Sequence, residues 1–91
     1  MMTSFTTNWE DEENNRIVEL AVRCRLDGET VEIVDVTPHA VTFVDGESRE
    51  PVRKLRVHTE GGRRVLSRVV RARGWEQLQQ AAQEAQMAEA L

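Results

Sequence analysis

The sequence has no tyrosine and only four aromatic side chains, Phe5, Trp9, Phe43 and Trp75. A base-stacking platform needs several rings on one sheet face, so single-stranded nucleic acid finds little here to stack on. The single cysteine, Cys24, excludes an internal disulfide and any multi-cysteine zinc site. No apolar run approaches the ~20 residues of a membrane helix. Residues 1–15 carry neither a basic start nor an apolar stretch and do not read as a secretory signal. These absences together favour the cytoplasm, and no membrane partner is expected. The chain also lacks a G-x-G-x-x-G fingerprint, a P-loop lysine motif and a G-x-S-x-G elbow. Ser48 and Ser67 have no His–acid partner nearby in sequence. His39 and His58 stand at no metal-ligand spacing from Cys24 or the carboxylates. The expectation is no catalytic centre, no cofactor and no metal.

Charge is present in quantity and unevenly laid. Residues 1–48 hold three basic and eleven acidic side chains, and residues 49–73 hold nine basic and two acidic. Residues 74–91 add three glutamates, for a net charge of −4. Eleven of the twelve basic residues are arginine. Arginine offers a planar fork to carboxylate or phosphate and is less costly to desolvate than lysine.

A chain of 91 residues fits one domain with one core. Residues 1–15, with the run Glu10-Asp11-Glu12-Glu13, read as a flexible acidic tail ahead of a single domain over residues 16–91. Phe5 and Trp9 are able to dock back onto the domain or onto a partner.

The clearest strand covers residues 18–26, where Val18, Leu20, Val22, Cys24 and Leu26 alternate with Glu19, Ala21, Arg23 and Arg25. Cys24 is thereby a core residue rather than a nucleophile. Asp27-Gly28 predicts a two-residue hairpin turn. That register sets Cys24 opposite Val31, Val22 opposite Ile33 and Arg23 opposite Glu32.

Residues 30–36 form the second predicted strand, Thr37-Pro38-His39 a turn, and residues 40–44 the third strand. This places Phe43 opposite Ile33, and Asp35 on the apolar face, where it would cap the turn. Residues 52–59 and 63–72 read as a last hairpin joined by Glu60-Gly61-Gly62. Residues 75–91 lack β-branched side chains and repeat Trp75, Leu78, Ala82 and Ala85 at helical spacing. Trp75, Leu78, Met87 and Leu91 would carry most of that helix's burial. The fold class is α+β, mainly β: a five-stranded antiparallel meander, curled into a small open barrel, with a C-terminal helix.

The segment Asp35-Val36-Thr37-Pro38-His39-Ala40, in this order of elements, resembles the D/N-x-S-x-x-G turn of PilZ domains. These are small β-barrels with a C-terminal helix that bind cyclic di-GMP. Thr stands in place of Ser and Ala in place of Gly. The family's R-x-x-x-R precedes the turn, whereas Arg49 and Arg53 follow it. Six residues that depart in composition and order do not assign the chain to that family.

The arginine block carries the functional expectation: a non-enzymatic binding or adaptor domain. Lys54, Arg56, Arg63, Arg64, Arg68 and Arg71 on the last hairpin would contact an anionic partner. An acidic protein segment, or a second copy in a homodimer, fits better than nucleic acid, because the acidic chain as a whole repels a polyanion. The acidic run of another copy is one such segment. The alternative is a small nucleotide- or nucleic-acid-binding barrel. A solvated face, neutralised by Glu19, Glu32 and the acidic tail, is the plainest account of the same charges.

Overall fold

The chain centres on strand β2, Arg16–Asp27, in a computed structural model that describes residues 1–90. Val18, Leu20, Val22 and Cys24 are each at most 1% exposed, while Arg23 and Arg25 face solvent. Period-two burial along this strand holds as its sequence implies.

Strand β1, Met2–Asp11, runs antiparallel beside β2, with Phe5 opposite Val22 and Trp9 opposite Val18. The segment expected as a loose tail is thus an edge strand. Phe5, Thr7 and Trp9 alternate as β2 does, and that pattern of β-branched and aromatic residues outweighs the acidic run at its end. A single 3₁₀ turn, Glu12–Asn14, and Asn15 in the left-handed region (φ 49°) reverse the chain into β2.

Strand β3, Thr30–Val44, is continuous, where two strands and a turn were expected. The hairpin loop is Gly28-Glu29, with Asp27 opposite Thr30. Only Gly28 has positive φ (64°), the pattern of a type II′ turn rather than I′. The register therefore sets Leu26 opposite Val31, Cys24 opposite Ile33 and Val22 opposite Val36. Two irregularities interrupt it, between Arg23 and Cys24 and between Glu19 and Leu20. Each inserts one extra residue in β3, Val34 and His39, and resets the alternation. Ile33, Val36, Pro38 and Val41 are consequently all buried. The phase slip at His39 imitates a strand end, and Pro38 reinforces the illusion. Pro38 is tolerated because strand β4, Pro51–Arg56, pairs with β3 only from Ala40 to Val44.

The expected fifth strand is helix α1, Glu60–Arg73. Glu60-Gly61-Gly62 is its first turn, not a hairpin loop. The Thr59 hydroxyl accepts a hydrogen bond from the Gly62 N–H at 2.9 Å and caps it. Leu66, Val69 and Val70 then fall on one helical face, and Val70 is fully buried. Helix α2, Trp75–Ala90, follows after Gly74, where one C-terminal helix was expected. Its Leu78 and Ala82 join the core, while Met87 is 67% exposed and Leu91 lies outside the described residues. Burying Leu78 contributes about 1.5–3 kcal/mol.

The sheet order is β1-β2-β3-β4, and β1 and β4 remain its two ends. The sheet does not close; α1 packs on β3, and α2 packs on β1 and β3. Helices thus cover the apolar face that a barrel would have buried against itself. The fold is α+β and mainly sheet. No helix among the described residues is long and apolar enough to cross a membrane.

Candidate functional site

Asp11 ends β1 and is 1% exposed, the one charged side chain buried among the described residues. Its Oδ2 accepts hydrogen bonds from Arg16 Nε and Asn14 Nδ2, both at 2.9 Å. Arg73, the last residue of α1, donates to Oδ1 at 2.9 Å and Oδ2 at 3.2 Å. The same guanidinium reaches Glu13 at 2.8 Å and lies 5.6 Å from the centre of the Trp9 ring. Burial alone would raise the Asp11 carboxyl. The hydrogen bonds from Asn14, Arg16 and Arg73, with the charge of Arg73, outweigh it and hold the group below its ordinary range. Gly74 completes the junction: a Cβ there would lie 2.7 Å from Trp9 Nε1, so the ring needs glycine beside it. This cluster clamps β1 to the helices. Its Oδ2 accepts from three donors and its Oδ1 from one, so the carboxylate is engaged within the fold.

The six basic residues expected on one hairpin divide between two elements. Lys54 and Arg56 lie on β4, and Lys54 Nζ pairs with Glu19 at 3.0 Å. Arg63, Arg64, Arg68 and Arg71 lie on α1. Arg63 donates to the Val57 carbonyl at 3.4 Å, and Arg71 stacks 5.6 Å from the Trp75 ring centre. Arg64, Arg68 and Arg71 follow one another at steps of four and three, so they share a helix face, and all three are exposed. Among the described residues, Arg56, Arg64 and Arg68 enter no ion pair. Arg63, Arg64, Arg68 and Arg71 line a shallow cleft of about 300 Å³ with Glu60 and Asp35. Asp35 is exposed there, not on the apolar face, because the preceding slip in register turns it outward.

A second cleft, of about 390 Å³, brings together Lys54, Arg56, Glu19 and both histidines, His39 and His58. His39 reaches it because the bulge re-aims that position. No group of three or more His, Cys, Asp or Glu among the described residues is placed to hold a metal ion. Burial pushes the Cys24 thiol up, away from the reactive thiolate. Asp45 accepts the N–H groups of Glu47 at 2.9 Å and Ser48 at 3.0 Å, which hold its carboxyl below the ordinary range and fix the loop into β4.

Sequence reasoning missed the Asp11 clamp and the meeting of the histidines. Both join residues far apart in the chain, and only the alternation of Thr7, Trp9 and Asp11 signalled that Asp11 would turn inward. No family model matches this chain, and neither a curated protein nor a solved structure is significantly similar to it.

Proposed function

We propose that this chain is a non-catalytic binding domain whose basic α1 face, with Lys54 and Arg56 of β4, takes up an acidic protein segment. One observation carries the reading. Arg64, Arg68 and Arg71 share an exposed helix face with no salt bridge among the described residues, while the acidic run of the same chain is engaged by Arg16 and Arg73. Residues 10–13 of a second copy are a poorer partner for the same reason: Asp11 and Glu13 are already paired.

Each exposed ion pair is worth about 0–1 kcal/mol, so useful affinity requires several at once. A helix face presenting arginines one turn apart supplies them in a fixed array. Nucleic acid is less suited to the surface. The chain carries a net charge of −4, Trp9 is 3% exposed, and Trp75 sits against Arg71.

The test is the triple variant Arg56→Glu, Arg64→Glu, Arg68→Glu, titrated with a glutamate-rich peptide. Affinity should fall at least about tenfold at moderate salt, with the urea midpoint unchanged. Binding retained by the triple variant would remove the proposal. Tighter binding to an oligonucleotide than to the peptide, with a log–log salt slope of several, would replace it with a nucleic-acid reading.

A further inference from the structure

We propose that the acidic segment binds as an added strand along the open edge of β4, so that the partner extends the sheet. This inference rests on the acidic-partner reading above and specifies the conformation and place of the part of the segment that meets β4; the α1 arginines lie outside the added strand.

Strand β4 ends the sheet, and all six of its residues are exposed. Its hydrogen-bond phase follows from one contact. The Val57 N–H donates to the His39 carbonyl at 2.9 Å, and in the β3–β4 register position 57 lies opposite 39. Antiparallel pairs alternate between bonded and non-bonded. Leu55 and Arg53 therefore turn their N–H and C=O groups toward Val41 and Phe43. Lys54 and Arg56 turn theirs outward. Two donors and two acceptors thus stand at strand spacing on the open edge, as an added strand requires.

Charge then selects the occupant. The edge segment carries Arg53, Lys54 and Arg56 and no acidic side chain. A second β4 laid antiparallel on the first, Leu55 opposite Leu55, would set Lys54 against Arg56 twice, a like-charge pair that destabilises the ladder. Lys54 and Pro51 are also the residue types that blunt an edge against its own kind. Toward an acidic strand the same cations attract, Arg53 and Arg56 with no ion pair among the described residues and Lys54 by exchanging its exposed pair with Glu19. Leu55, 41% exposed, offers an apolar contact on the face opposite Lys54 and Arg56, so an alternating acidic and apolar segment matches both faces. The other end strand, β1, contains no basic residue and does not compete for such a segment.

The experiment uses the full chain, a capped peptide of alternating glutamate and valine as long as β4, and its glutamate–proline counterpart of equal charge. The first peptide should slow hydrogen exchange at the Lys54 and Arg56 amides by about tenfold or more. The second should bind at least about tenfold more weakly, because proline has no N–H to give the edge. Equal affinity for the two peptides, or binding that leaves both amides unchanged, overturns the added strand and leaves the acidic-partner reading standing. Failure of both peptides to bind overturns both.

Discussion

Arg16 and Arg73 hold their guanidinium groups against a buried carboxylate, whereas Arg56, Arg64 and Arg68 hold theirs in water. The residue type is the same, and Arg73 comes from the same basic block as Arg56, Arg64 and Arg68. The difference lies in what the fold brings to meet them. At the first site, Asp11 arrives on the inward side of β1 and is closed in by Trp9 and Gly74, so charge becomes architecture. At the second, α1 presents its arginines on the face away from Leu66 and Val70, and although Asp35 and Glu60 line the same cleft, neither pairs with Arg64 or Arg68 among the described residues. Net charge by segment does not separate these two uses; the direction of each side chain does.

Substitutions can break this contrast, beginning with the largest effect. Asp11→Ala leaves Arg16 and Arg73 facing each other without their carboxylate and should cost about 2–4 kcal/mol in urea unfolding. Arg64→Ala and Arg68→Ala should each stay within about 0.5 kcal/mol of the parent protein. A comparable loss in both groups would erase the distinction. Gly74→Ala forces a methyl group against the Trp9 indole and should cost about 1–3 kcal/mol, with a change in tryptophan fluorescence as the ring moves.

Acid should separate the sites more gently. The Asp11 carboxyl is held below its ordinary value of 3.8, so its contribution is fully present above that pH. It is lost as pH falls through the depressed folded value. Stability of the parent protein should therefore drop more steeply on acidification than that of Asp11→Asn. Parallel acid curves for the two would deny the clamp its linkage.

Much of the scaffold was legible where one rule acted alone. The alternation of Val18, Leu20, Val22 and Cys24 gave a half-buried strand, and the alanine-rich segment after Gly74 gave a helix. Legibility failed where two rules overlapped. In β3 the bulges at Val34 and His39 keep apolar residues inward by breaking period two, and a broken period resembles a strand end. In α1, Gly61-Gly62 resembles a hairpin loop, yet Thr59 ahead of it supplies a helix cap and the spacing of Leu66, Val69 and Val70 fits a helix better than a strand. In β1, composition suggested a solvated tail, while the alternation of Phe5, Thr7 and Trp9 encoded an edge. The basic residues were visible from composition. Their division between α1 and β4 was not, because it depends on that helix. The Asp11–Arg73 pair spans 62 residues and follows from no local pattern.

Solvent exchange of the arginine Nε protons, followed by NMR on the unmodified protein without a partner, addresses the contrast directly. Arg16 Nε–H, hydrogen-bonded to Asp11, should exchange slowly, and the Nε–H groups of Arg56, Arg64 and Arg68 should exchange as freely as those of an unfolded chain. Slow exchange at Arg64 and Arg68, or free exchange at Arg16, would contradict the division between arginines that build the fold and arginines held ready for a partner.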